Sequence, residues 1–319
     1  MRILITGGFG FVGGRVAQYL HQSGNEIVLA SRNTRTTPRW LPQAKVARIE
    51  WKDDLALEQI CNGIDVIIHA AGMSAQDCEL DPVAALEFNG LATARLLMAS
   101  IRSKVKRFIY LSSAHVYNSP LTGSISEDSC PRNLHPYASS NLAGESVVTA
   151  ANQRGEIKGI VIRLSNVFGT PAHKDVNCWK LLVNDLCLQV VDSGKIILHT
   201  TGIQERDFIS MRGVTQVVGY LTLYESSTLL PRVYNVGSGE SQSVLKVAQL
   251  VQQRCKVILG FEPKIQRLEI IDDQKHESLD YRSDRLNKTG FKIEFDSSSE
   301  IDSLLDFCRV MSNHDQVGE

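Results

Sequence analysis

Nothing in this sequence supplies a covalent or metal framework. Its seven cysteines, Cys61, Cys78, Cys130, Cys178, Cys187, Cys255 and Cys308, are odd in number, scattered, and free of any CxxC pair. Disulfide and zinc scaffolds need tighter spacing, so reduced thiols in a cytosolic protein, and no metal centre, are expected. Long apolar runs are missing too; no segment reaches the length of a membrane span. The first residues already read as a strand (RILIT), without the basic and apolar regions of a leader. A cytoplasmic protein with no membrane partner is the default expectation. An excess of either charge is also lacking: 34 Lys and Arg stand against 35 Asp and Glu. A formal charge of -1 offers no global field to nucleic acid.

What is present is ordinary globular material, 319 residues with 43% hydrophobic and 22% charged. That is enough for about two domains, or one large domain with an attached lobe. The first half alternates short apolar runs with amphipathic stretches. Strands are expected at 2–6, 26–30, 46–50, 65–70, 107–112 and 159–164. Helices are expected at 11–23, 55–61, 82–103 and 137–154, with Pro82 in a first turn where its missing N–H costs nothing. Apolar runs of this kind suit strands buried on both faces, as in a parallel sheet. The alternation predicts a doubly wound α/β fold of Rossmann type. After Asn166 the pattern changes to helices at 179–191, 214–224 and 244–255, with a short strand at 233–236. The division expected is a Rossmann domain over 1–170, also receiving about 203–238. A smaller C-terminal α/β substrate lobe then takes 171–202 and 239–319. The polar tail after Ser312 is expected to fray.

The string TGGFGFVG lies between the first strand and the first helix, with Gly7, Gly10 and Gly13 in the spacing GxxGxxG. The first glycine allows a tight turn, the second lets backbone approach a pyrophosphate, and the third lets helix pack on strand. Phe11 and Val12 open a helix whose free N–H groups and dipole favour phosphate. This context makes the loop a strong sign of a dinucleotide cofactor. An NAD site places a carboxylate at the end of the second strand. Here the residues are Ser31, Arg32 and Asn33, with Arg35 nearby. Arg32 can pair with a 2′-phosphate and Ser31 can donate a hydroxyl, which favours NADP while leaving NAD possible. Glu50 or Asp53, after the third strand, is a weaker candidate for reaching the adenine.

Further strings follow in order: HAAG (69–72), Asp81-Pro82 with Asn89, LSSAHVY (111–117), PYASSNLAGE (136–145), RLSNVFG (163–169), GIQERDFISM (202–211) and YNVGSGE (234–240). Over nearly its whole length the chain resembles the extended short-chain dehydrogenase/reductases, the NAD(P)-dependent epimerase/dehydratase group that acts on nucleotide sugars. The resemblance implies that Ala70 and Ala71 line the cofactor with backbone and that Asn89 belongs to the cofactor site and holds the strand ends. It implies that Ser113 bonds the substrate oxygen and that Tyr137 gives or takes its proton. Asn166 would contact the diphosphate or sugar, and the Arg206 guanidinium would pair with the diphosphate. It also implies a homodimer through the helices at 82–103 and 137–154, with Ala84, Ala85, Leu86, Leu96, Leu97 and Met98 suited equally to a helix seam or to packing on the sheet. The chemistry is intelligible in itself, since hydride transfer at a carbinol carbon must be matched by proton transfer at its oxygen. Taken singly, Ser113 reads as a strand-end hydroxyl capping the next turn, and Tyr137 as an amphipathic residue at a helix start.

One absence stands inside the motif itself. The family's tyrosine string is YxxxK, and here it is Tyr137-Ala-Ser-Ser-Asn141. Residues four apart share a helix face, so the position is right and the residue differs. Asn141 can bond ribose hydroxyls but carries no charge to lower the tyrosine's pKa. Alcohol oxidation, which needs tyrosinate, is penalised more than ketone reduction. Where the family's 4,6-dehydratases hold an Asp-Glu pair this chain has Ala114-His115, which disfavours dehydration. His115 is expected to replace part of the lysine's function by trading protons near neutral pH, with His135 a second candidate. Two functions follow from different classes: a reductase or epimerase acting at C4 of a nucleotide-linked sugar, or a catalytically impaired NAD(P)-binding sensor or partner subunit.

Overall fold

The apolar runs become strands of one parallel sheet. The structure, a computed structural model, describes residues 1–225, 232–268, 278–294 and 296–316. Parts of the stretches 203–238 and 239–319 therefore lie outside the described residues. β1 (Arg2–Thr6) leads into α1 (Phe11–Gln22), β2 (Glu26–Ser31) and β3 (Lys45–Arg48). Then come α2 (Asp54–Cys61), β4 (Val66–His69), α3 (Ala75–Leu80), α4 (Pro82–Ala85), a π-helical turn (Leu86–Ala92), α5 (Thr93–Arg102) and β5 (Arg107–Ser113). β6 (Gly123–Ile125), α6 (Pro136–Gln153), β7 (Lys158–Leu164) and β8 (Asn166–Phe168) follow. Beyond them lie α7 (Leu182–Ser193), β9 (Lys195–Leu198), β10 (Glu205–Ser210), α8 (Met211–Leu223), β11 (Val233–Val236) and β12 (Ser241–Ser243). α9 (Val244–Leu259), β13 (Lys264–Arg267), β14 (Leu279–Tyr281), α10 (Asp284–Lys288) and α11 (Ser297–Gln316) complete the order.

Among the described residues, seven strands form the main sheet in the order β11-β7-β5-β4-β1-β2-β3. Every pairing within it is parallel. The two-residue period of a strand then sorts the core. Ile3 and Ile5 of β1 face α1 and α8, meeting Val16, Leu20, Val214 and Val217. Leu4, between them, faces the opposite layer with Leu57 of α2, Leu96 of α5 and Val148 of α6. Burial on both faces is why these strands read as continuous apolar runs. A separate core joins α7, α9 and α11 through Leu186, Val251 and Leu304, with Cys187, Cys255 and Cys308 packed among them as small apolar residues. Burial pushes the Cys255 thiol up to about 11. No helix of the described residues is long and apolar enough to cross a membrane.

Three expectations need correction. The single helix expected over 82–103 is interrupted by the π-helical turn Leu86–Ala92. Close packing accounts for it: a Cβ on Gly144 of α6 would sit 2.8 Å from the Asn89 carbonyl and 2.7 Å from the Tyr110 hydroxyl. Leu96 and Leu97 turn to the sheet, whereas Val83, Leu86, Leu91 and Met98 are exposed. Of the segment after Ser312, expected to fray, residues to Gln316 continue α11, and 317–319 lie outside the described residues. The helix expected over 179–191 begins at Leu182 and runs to Ser193.

Candidate active site

The glycine loop is built by sterics. Gly7 takes φ +68°, and a Cβ there would lie 2.6 Å from the Ala70 carbonyl oxygen. A Cβ on Gly13 would collide with the Gly7 carbonyl, so the third glycine lets α1 start against the loop itself. Gly10 is the N-cap of α1, with no side-chain hydrogen bond and no acidic residue in the first turn. Most other long helices are capped, α8 by Ser210 and α9 by Ser243. The N-terminal N–H groups of α1 are thus left for an anion.

Around this loop lies a cleft of about 250 Å³, lined by Gly7, Gly10, Ser31, Arg32, Ala70 and Ala71. Ile49 and Trp51, from the connection after β3, and Phe88, from the π-helical turn, also line it and were not found in the sequence, since they carry no motif. The Arg32 guanidinium lies 5.4 Å from the centre of the Phe88 ring, and that of Arg35 lies 4.7 Å from the Phe9 ring. Ser31 is turned to its own chain, accepting the Asn33 N–H at 3.2 Å. Neither acidic candidate reaches the cleft. Glu50 pairs with Arg48 at 2.6 Å, and Asp53 caps α2 by accepting the Ala56 N–H at 3.0 Å. Asn89 is buried and grips the chain rather than the cleft: it accepts the Met73 N–H at 2.9 Å and donates to Ser140 Oγ at 3.0 Å.

A second cleft, of about 320 Å³, begins at the next two residues of the same loop, Phe11 and Val12. Ser113, His115, Tyr137, Asn166 and Arg206 all line it. β5 delivers Ser113 at its C-terminal end, and Pro136 starts α6 so that Tyr137 stands in the first turn. The Ser113 hydroxyl lies in the same cleft as the Tyr137 phenol, and it caps the following turn by accepting the His115 N–H at 3.2 Å. Burial pushes the Tyr137 phenol up, and the neighbouring Ser113 hydroxyl offsets part of the rise. His115, Asn166 and Arg206 also line an adjoining compartment of about 270 Å³. Arg206 donates to Gln204 Oε1 at 3.0 Å and has no carboxylate partner among the described residues. Asn166 is fixed by donating to the Asp207 carbonyl at 2.9 Å. Two features here went unseen in the sequence. Lys180 lines the cleft, and α7 starts there behind Leu181 with no side-chain cap.

The residue at the lysine position is turned inward. Asn141 is 5% exposed and lines neither cleft. Its amide donates to the Tyr137 carbonyl at 2.7 Å, and its oxygen accepts the Tyr110 hydroxyl at 3.1 Å. Both ends of the short amide are thus engaged by protein, and Asn141 faces away from the two clefts. His115 stands in the second cleft, where burial and then the neighbouring Arg206 lower its pKa and Asn166 opposes the shift. His135 is a helix cap, its Nδ1 accepting the Tyr137 N–H at 3.1 Å.

A model of the NAD dependent epimerase/dehydratase family matches residues 3–237. The chain belongs to that family. It is thus an enzyme of an NAD(P)-dependent group. A dTDP-D-glucose 4,6-dehydratase of Mus musculus is 24% identical over 307 residues, covering 91% of this chain and 84% of its own. An uncharacterised UDP-glucose epimerase of Bacillus subtilis (strain 168) is 27% identical over 288 residues, covering 83% and 86%. In fold, this epimerase/dehydratase follows a UDP-glucuronic acid 4-epimerase of Bacillus cereus, solved with UDP-glucuronic acid and NAD. That match has TM-score 0.79 at 20% identity and covers 98% of this chain and 100% of that one. A UDP-glucose 4-epimerase of Thermotoga maritima gives TM-score 0.80 at 19% identity, over 98% and 100%.

Proposed function

We propose that this epimerase/dehydratase acts on a nucleotide-linked sugar by reduction of a 4-keto group or by 4-epimerisation, in sugar or polysaccharide biosynthesis. The observation that carries the reading is the meeting of Ser113, Tyr137, Asn166 and Arg206 in one cleft that continues from the glycine loop. Arg206 and the uncapped start of α7 with Lys180 hold the diphosphate. Ser113 orients the reacting oxygen and Tyr137 passes the proton. The bound nicotinamide dinucleotide supplies or accepts the hydride. The N-terminus of α1 would hold its diphosphate, and Arg32 with the Ala70–Ala71 backbone would hold its adenosine. The expected assembly is a homodimer through the exposed side of the 82–102 helices, where Val83, Leu86 and Met98 face outward. A single monomer mass in solution would exclude it.

The preferred cofactor is NADP. Two arginines and no carboxylate line the adenosine side of the cleft among the described residues. Arg32→Asp is expected to weaken NADPH binding by about 10–100-fold, the worth of a charge-assisted phosphate contact, while NADH binding holds or improves. Fluorescence titration of both reduced cofactors measures this; equal losses for the two would reject the assignment.

Direction of reaction follows from the phenol. With its pKa pushed above the ordinary value of about 10, under about 0.1% of Tyr137 is tyrosinate at pH 7. The protonated acid is abundant and the base is scarce, so ketone reduction is the favoured half-reaction. Adding the missing charge tests this. Asn141→Lys alone strands the Tyr110 hydroxyl, so it is paired with Tyr110→Phe. The double variant is expected to speed alcohol oxidation about tenfold or more at pH 7 and to move the rate–pH profile down by about one unit. A profile identical to wild type would show that Tyr137 is not the group that titrates.

The sensor reading keeps one observation in its favour, the inward Asn141. Cofactor consumption with a panel of nucleotide 4-keto sugars separates the two. Binding without any turnover across the panel selects the sensor.

A further inference from the structure

His69 takes no part in the chemistry above, yet it is a buried histidine at the end of β4 with both ring nitrogens engaged. Nδ1 lies 2.6 Å from Thr6 Oγ1, and Nε2 lies 2.9 Å from Thr93 Oγ1. The rings of Trp51, Phe108 and Tyr110 surround it. Burial holds the imidazole neutral, with its pKa lowered to about 3. A neutral ring has one donor and one acceptor, and the threonines decide which is which. Thr93 donates its hydroxyl hydrogen to the Asn89 carbonyl at 2.7 Å. Its oxygen can then only accept from the ring, so Nε2 carries the hydrogen. Nδ1 is left as acceptor, and the Thr6 hydroxyl donates to it. A lone pair of Thr6 Oγ1 is then free to accept the Ala71 N–H at 3.4 Å.

The other end of this relay returns to the same segment of chain. Asn89, whose carbonyl takes the Thr93 hydrogen, accepts the Met73 N–H on its side-chain oxygen. Ala71 and Met73 thus hang from opposite ends of one buried hydrogen-bond chain. Both belong to the loop whose Ala70, Ala71 and Gly72 line the glycine-loop cleft. The fit there is close, since Ala70 is the residue a Cβ on Gly7 would strike.

We infer that His69 is a positioning residue for the cofactor, fixing loop 70–73 through the Thr6–His69–Thr93 relay in the Nε2–H tautomer. The inference rests on the placement of the cofactor in that cleft. The opposite tautomer would draw the Thr93 hydrogen away from the Asn89 carbonyl and reverse the relay.

Two measurements on the full chain test it. Nitrogen-15 NMR of the imidazole is expected to report the Nε2–H tautomer; Nδ1–H would overturn the inference. Thr93→Val keeps the shape but removes the acceptor, and is expected to shift His69 toward Nδ1–H; an unchanged tautomer would overturn it as well. His69→Phe is expected to bind NADH and NADPH about tenfold more weakly, the scale of one buried hydrogen bond. A folded His69→Phe that binds both as tightly as wild type refutes the positioning role. Wild-type protein that binds neither cofactor refutes the cofactor placement instead, and the tautomer measurements still judge the relay.

Discussion

Tyr137→Phe is expected to cut turnover by about 10²–10⁴-fold, the usual worth of a positioned proton donor, with little change in binding of cofactor or nucleotide sugar. The change removes one hydroxyl and keeps the ring, so the start of α6 and the wall of the cleft survive. What is lost is the phenolic hydrogen, which under the proposed reaction reaches the substrate oxygen as hydride arrives. Ser113 alone can orient that oxygen but, with an alcohol's pKa, cannot supply the proton. The pH dependence carries the same sign. A phenol raised above its ordinary pKa stays protonated through neutral pH, so wild-type reduction should be flat there. Oxidation should climb about tenfold per pH unit toward that pKa, following the rising fraction of tyrosinate. Loss of reduced-nicotinamide absorbance in single-turnover mixtures reads the rate, and titration reads the affinities. A Tyr137→Phe enzyme within a factor of ten of wild type would remove this residue from the reaction.

The second large effect concerns what holds the catalytic strand end. Glu145 of α6 and Arg163 of β7 form a buried pair, with Arg163 Nη2 2.5 Å from the carboxylate and Nε at 3.0 Å. Ser112, next to Ser113, donates to the same carboxylate at 2.5 Å, and Tyr117 accepts from Arg163 Nη1 at 2.7 Å. Glu145→Ala leaves a guanidinium in the interior with no counter-charge, which costs about 3–5 kcal/mol. Chemical denaturation should show the loss as a lower midpoint at unchanged slope. Glu145→Ala with Arg163→Met should recover much of it, because a paired charge and an apolar pair of like volume are closer in energy than an orphan. A single-variant loss below about 1 kcal/mol would mean that water reaches Arg163.

Much of this was legible in the residues, for identifiable reasons. β1, β4, β5 and β7 are buried on both faces, so each carries its own apolar run. The glycine loop is a steric necessity and so reads as a string. The lobe was less legible because β8, β12 and β14 are three residues long, too short for any period to show. The π-helical turn arises from α6 pressing on Asn89, a contact between segments some 50 residues apart that no local pattern encodes. Asn141 shows the limit most clearly. Its helix face follows from spacing, but its inward turn depends on the Tyr110 hydroxyl, a partner on another strand. Likewise nothing local says that His135 would be used as a cap and His115 held beside a guanidinium.

Strand β10 places opposite charges on consecutive residues. Arg206 stands opposite Gln242 and lines the cleft, while Asp207 stands opposite Ser241 and is fully buried, accepting from the backbone of Ser238 and Gly239. Side chains alternate between faces, so a slip of one residue would put a carboxylate into the cleft and drive a guanidinium against two N–H donors. The buried carboxylate, held by two backbone N–H groups, thus locks the register of β10, and that register is what presents the Arg206 guanidinium to the cleft.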